Sequence, residues 1–148
     1  MKIAIGNDHV GFELKEVLLE VLKQRKIEII DCGTYDTDRV DYPVYGEKVA
    51  KLVASGEVEK GILICGTGIG ISIAANKVKG IRAATCSEPY SAKLSKQHNN
   101  SNILAMGSRV VGKEVAKMIL IEWLDAEFEQ GRHETRIELI KEIEDKNL

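Results

Sequence analysis

The stretch Gly61-Ile62-Leu63-Ile64-Cys65-Gly66-Thr67-Gly68-Ile69-Gly70-Ile71-Ser72-Ile73-Ala74-Ala75 decides how this chain is read. Gly61–Cys65 is a short, nearly continuous apolar run, which suits a parallel strand covered on both faces. A glycine-rich turn follows, and Ile73, Ala74 and Ala75 carry the chain into a helix. Strand, turn and helix then recur on either side. Lys2–Gly6, Ile27–Asp31, Ile81–Cys86 and Ile103–Gly107 read as four further strands. Between them, Leu14, Val17, Leu18, Val21 and Leu22 keep a helical spacing, as do Val49, Leu52 and Val53 up to Ser55-Gly56. A helix starts at Pro89 and breaks at Asn99-Asn100, and another carries Val115, Ile119 and Trp123. After Gln130-Gly131, Ile137, Ile140 and Ile143 mark a final helix. The pattern predicts a three-layer α/β/α, Rossmann-like fold with a five-stranded parallel sheet in flavodoxin-like order, 2-1-3-4-5, plus an extra C-terminal helix.

The 148 residues suffice for one domain, spanning 1–148. The isoleucine stripe of the last helix (131–148) comes after the sheet is complete, so it is expected to pack on a partner subunit. Lys and Arg total 21 against 23 Asp and Glu, a net charge of −2, which argues against a nucleic-acid surface. No apolar run nears the roughly 18 residues of a membrane span, and the N-terminal run is too short for a signal-peptide core. Cys32, Cys65 and Cys86 are an odd number without C-x-x-C spacing. That disfavours disulfides and zinc and predicts a reducing, cytoplasmic setting.

In an open α/β sheet a ligand sits beyond the carboxyl ends of the strands, where the strand order reverses. With the order above, that point lies between the first and third strands. The unusual residues follow those two strands: Asp8-His9-Val10-Gly11 after the first and Gly66–Gly70 after the third. The glycine loop reads either as a tight turn or as an anion cradle of free backbone N–H groups. It lacks the lysine of a nucleotide-binding P-loop, and the first strand does not lead into G-x-G-x-x-G. Cys65 is either a small buried apolar residue or a thiolate favoured by the start of a helix, able to act as nucleophile or base. Cys32 and Cys86 are read as structural. Asp8 is a helix cap, a ligand for sugar hydroxyls, or both. His9, His98 and His133 show no metal-ligand spacing, and neither a metal nor another cofactor is expected. Arg132 and Arg136 share one helix face, and Arg109 follows the fifth strand. They read either as solvated surface residues or as a phosphate site.

Asp8-His9-Val10-Gly11, the block Cys65–Lys77, Cys86–Ala92, Gln97-His98-Asn99 and Gly131-Arg132-His133 together resemble the type B ribose-5-phosphate isomerase family, in order and across nearly the whole chain. That family includes isomerases of galactose 6-phosphate and allose 6-phosphate. The resemblance implies a metal-free aldose–ketose isomerase of the non-oxidative pentose phosphate pathway, working through a cis-enediolate. It implies Cys65 as the proton-abstracting base, His98 as the ring-opening acid and Thr67 beside the enediolate. It also implies Asp8, His9, Tyr42, Gly66, Gly68, Ile69, Gly70, Asn99, Arg109, Arg132 and Arg136 as substrate contacts. Some relatives carry a glutamate where this chain has Ile71, and isoleucine cannot take a proton, so the cysteine must serve.

Topology adds an expectation of its own. His98 and Asn99 lie between the fourth helix and the fifth strand, at the amino edge of the sheet, whereas Asp8 and Cys65 lie at the carboxyl edge. Sites shared between the two subunits of a homodimer, or within a tetramer, follow from that separation. A six-carbon aldose phosphate and a non-catalytic sugar-phosphate-binding module are the competing readings of function.

Overall fold

The structure, a computed structural model, describes residues 1–148. Five strands form one parallel sheet: β1 (Lys2–Asn7), β2 (Glu28–Asp31), β3 (Lys60–Cys65), β4 (Ala83–Thr85) and β5 (Ile103–Gly107). Six α-helices accompany it: α1 (Phe12–Gln24), α2 (Tyr42–Ala54), α3 (Ile69–Ala75), α4 (Pro89–Gln97), α5 (Lys113–Asp125) and α6 (Arg132–Asn147). A short 3-10 turn, His9–Gly11, leads into α1.

The inner strands are apolar on both faces because each face meets a separate helical layer. Ile3, Ile5, Ile62, Ile64, Leu104 and Met106 pack with Leu14, Leu18 and Leu22 of α1 and with Ile119, Leu120 and Trp123 of α5. Ala4, Leu63, Ile103 and Ala105 pack against Val49, Ala50 and Val53 of α2 and Ile71 and Ala75 of α3. All these residues are buried. Trp123 has no exposed surface, and its indole N–H donates to Ser101 Oγ at 2.8 Å, so the ring is buried without an orphaned donor.

The three-layer parallel fold is as expected, but the order of the last two strands is not. The sheet runs β2-β1-β3-β5-β4 rather than 2-1-3-4-5. Burial accounts for the exchange. All five residues of β5 are buried, so β5 belongs inside the sheet. The three residues of β4 are partly or fully exposed and suit an edge. With β4 outermost, the crossover to β5 runs backwards, so α4 packs on the α1–α5 face, where Ala92 joins its core. The reversal between β1 and β3 remains where the sequence placed it.

Candidate active site

Three chain turns meet at the carboxyl ends of β1, β3 and β5. At the end of β1, Asp8 Oδ1 accepts the N–H groups of Val10 (3.0 Å) and Gly11 (3.1 Å). Asp8 is therefore a helix cap, one of the two readings of its sequence position. His9 Nδ1 accepts the Val40 N–H at 3.1 Å, which leaves the ring proton on Nε2 and fastens the segment between β2 and α2 to this corner. Lys15 holds that segment too. Its ammonium, almost wholly buried, meets Asp31 Oδ1 at 3.2 Å and the Thr34 carbonyl. Nothing in the helical pattern singles out Lys15, because its partners come from distant sequence.

Cys65 closes β3, and its Sγ accepts the Gly68 N–H at 3.2 Å. Gly68 has φ +79°, and a Cβ there would stand 2.7 Å from the Met106 carbonyl carbon. A Cβ on Gly107 would stand 2.6 Å from the Thr67 backbone. The glycine loop thus lies directly on the end of β5, a contact that exists because β5, not β4, neighbours β3. Thr85 Oγ1 donates to the Gly68 carbonyl at 3.1 Å from the edge strand. Ser108 Oγ lies 3.0 Å from the Val10 carbonyl and 3.3 Å from that of Cys65, joining all three turns.

The side chains around this loop are open. Tyr42, at the start of α2, lies against Gly70, where a Cβ would come within 2.6 Å of its ring. Arg109 lies over Gly66, with Nη1 3.8 Å from where a Cβ would be, beside a cleft of about 300 Å³ that Val10, Glu13 and Lys113 help to line. Thr67 and Ile69 are exposed beside the buried thiol. The chain therefore gathers Asp8, His9, Tyr42, Cys65, Thr67, Ile69, Arg109 and the loop glycines around one crevice.

The other expected residues stand at the opposite edge. His98 and Asn99 end α4 before β5 begins, and β5 carries the chain about 16 Å across the sheet to reach the crevice. Arg132 opens α6, and Arg136 follows one turn later. None of the eight ion pairs of the chain involves Arg109, Arg132 or Arg136, so all three guanidinium groups are free. The fold also stacks His98 on His133, ring centroids 4.2 Å apart, beside the Glu129 carboxylate. Histidine spacing gave no sign of this cluster. The 34 residues between the two histidines hide a contact that only the approach of the end of α4 to the start of α6 creates.

A buried thiol facing a backbone N–H, a glycine-rich loop leading into a helix and an unpaired guanidinium define the class. It is an α/β crevice that brings a thiol and a cation to one place, a setting suited to a small anionic ligand. The chain belongs to the ribose/galactose isomerase family, whose model matches residues 3–140. It is 62% identical over 143 residues to ribose-5-phosphate isomerase B of Escherichia coli K12, covering 97% of this chain and 96% of that one. It is also similar to the structure of ribose-5-phosphate isomerase B of Clostridium thermocellum, at 56% identity and a TM-score of 0.98 over 100% of both chains. The Mycoplasma genitalium enzyme with bound ribulose-5-phosphate is 40% identical, with a TM-score of 0.93 over 99% of this chain and 97% of that one. No helix of the chain is long and apolar enough to cross a membrane.

Proposed function

We infer that this chain is an aldose–ketose isomerase that interconverts D-ribose 5-phosphate and D-ribulose 5-phosphate, a step of the non-oxidative pentose phosphate pathway in a reducing cytoplasm. The observation that carries the chemistry is Cys65 at the head of the glycine loop, with the Gly68 N–H on its sulfur. An amide donor at that distance is the partner a thiolate needs, and a passive binding module needs no thiolate. Cys65 takes the proton from C2 of the open-chain aldose and returns it to C1. The intermediate is a cis-enediolate whose oxygen charge is held by loop N–H groups and the Thr67 hydroxyl. Preorganised donors of this kind are worth about 3–4 kcal/mol of barrier each. Asp8, His9 and Tyr42 hold the sugar hydroxyls, and Arg109 serves the polar end of the substrate from above Gly66.

His98, Asn99, Arg132 and Arg136 act in the site of a second copy. His98 opens the furanose ring, and the two arginines of α6 take the phosphate, whose binding energy serves the distant transition state. The exposed Leu139, Ile140 and Ile143 of α6 support the reading that this helix packs on the partner. The test of the chemistry needs no variant. Incubation with ribose 5-phosphate in heavy water, with EDTA present, is expected to convert it to ribulose 5-phosphate and to place deuterium at the exchanging carbon. Conversion without deuterium in either sugar speaks against a base that exchanges with solvent. No conversion, with turnover of allose 6-phosphate instead, moves the substrate to a hexose phosphate.

A further inference from the structure

The cluster at the amino edge contains a residue that the mechanism above does not use. Glu129 lies in the segment joining α5 to α6. Its backbone N–H donates to the Gln97 carbonyl at 3.0 Å, which ties that segment to the end of α4, one residue before His98. Its carboxylate Oε1 stands 3.2 Å from His98 Nε2 and 3.9 Å from His133 Nε2. The imidazole planes are 8° from parallel.

Two histidines and a glutamate with donor atoms within 4.8 Å of one another are the raw material of a metal site. The ring geometry opposes that use. An imidazole nitrogen directs its lone pair in the plane of the ring, and two nearly parallel planes stacked at this distance cannot both contain one ion. The 3.2 Å separation instead suits an ion pair between the carboxylate and a ring protonated at Nε2. A carboxylate beside one ring nitrogen takes its N–H, and the tautomer and rotation of the ring are then set for the other nitrogen.

We propose that Glu129 is the positioning residue for His98: it holds the Nε2–H, fixes the ring and leaves Nδ1 to face the substrate. This rests on the reading of His98 as the ring-opening acid. In that step the Nδ1 proton passes to the furanose ring oxygen as its bond to C1 breaks. The anomeric hydroxyl gives its proton to the Asp8 carboxylate at the other half of the site, and C1 becomes the aldehyde carbon. The sugar gains one proton and loses one, and His98 is left as the Nε2–H tautomer that Glu129 already holds. The charged and titratable groups around the pair are His133, Arg132 and Arg136 of α6. Burial, then His98 and Arg132, hold His133 below the ordinary imidazole range, so it presents a neutral ring for His98 to stack upon. That leaves Glu129 as the one carboxylate within reach of the pair.

Ribulose 5-phosphate separates positioning from general damage. Its C5 oxygen carries the phosphate, so it cannot close a five-membered ring, and solvent exchange at its C1 needs proton transfer but no ring opening. Glu129→Ala is expected to slow ribose 5-phosphate turnover about 10- to 100-fold, a part of what a general acid contributes. Deuterium exchange into ribulose 5-phosphate should stay within about threefold of wild type, the ring-opening share alone being lost. The chain has three histidines, so ¹⁵N spectra of the imidazoles are readily assigned. Neutral His98 should be the Nε2–H tautomer in the wild type, mixed in Glu129→Ala and restored in Glu129→Gln, which keeps an acceptor oxygen. Equal loss of both reactions, loss of neither, or an unchanged His98 tautomer overturns the proposal. His98→Ala, run in parallel, isolates the premise. If it slows exchange as much as turnover, the ring-opening role itself fails and the proposal falls with it. If it spares exchange while Glu129→Ala slows nothing, the positioning role alone fails.

Discussion

The three cysteines carry one residue type into three environments, and the environment decides their chemistry. Burial pushes the Cys86 thiol up to about 11, against a smaller opposing effect from Ser95. Burial and the neighbouring Asp31 carboxylate also raise Cys32. Cys65 is buried like Cys86 but has the Gly68 N–H on its sulfur and an exposed loop beside it. At pH 7.5 a thiol of pKa 11 is ionised in only about one molecule in three thousand, and the thiolate is the nucleophile. Mapping of iodoacetamide adducts by mass spectrometry should therefore find Cys86 unmodified in the folded protein. Cys65 should be the residue modified, and ribose 5-phosphate should protect it. Modification of Cys86 at the rate of Cys65 would refute this ordering. The sequence distinguished Cys65 from the other two by its glycine loop alone. The inertness of Cys86 comes from residues around it in space.

At the scale of the element, the glycine loop is shaped by the strand it lies on. Gly68 and Gly56 have nearly the same left-handed φ, +79° and +78°, but a Cβ on Gly56 meets nothing within 4 Å. The pair separates backbone strain from contact. Gly56→Ala should cost about 1 kcal/mol of stability, the penalty of a side chain in the left-handed region, and leave kcat within twofold. Gly68→Ala adds a collision with the Met106 backbone, so the loop must lift from β5 and carry its N–H away from Cys65. A fall in kcat of more than about 100-fold is expected, a loss comparable to that of an oxyanion donor. Circular dichroism should show both variants folded. Equal effects of the two substitutions on kcat would mean that the loop's seat on β5 is unimportant. The glycine run was legible in the sequence as a site feature, and the crevice between β1 and β3 followed from topology. That the loop rests on β5 was not legible, because the order of β4 and β5 is settled by which strand can be buried.

At the scale of the whole molecule, the residues proposed for the site stand at two edges of one sheet. Crossover helices return each strand to the same starting edge, so residues that precede strands and residues that follow them are separated by the strand length. A second copy is the direct way to reunite them. If the sites are shared, mixing Cys65→Ala and His98→Ala proteins under subunit exchange should restore about a quarter of wild-type activity, since about half the dimers are hybrids, each with one intact site. Each variant alone stays inactive. No recovery, with hybrids demonstrated by native mass spectrometry, would remove the shared site.

By itself, the sequence determined the alternation of strands and helices, the parallel sheet and the reversal between β1 and β3, with Asp8-His9 and the Gly66–Gly70 loop following those two strands. Those follow from local periodicity, turn chemistry and the handedness of crossovers, which neighbours along the chain dictate. Only the tertiary structure decided the exchange of β4 and β5, the burial of Lys15 against Asp31 and the cluster of His98, Glu129 and His133. Each of these depends on groups distant along the chain, brought together by a choice of what to bury, and no local pattern encodes that choice.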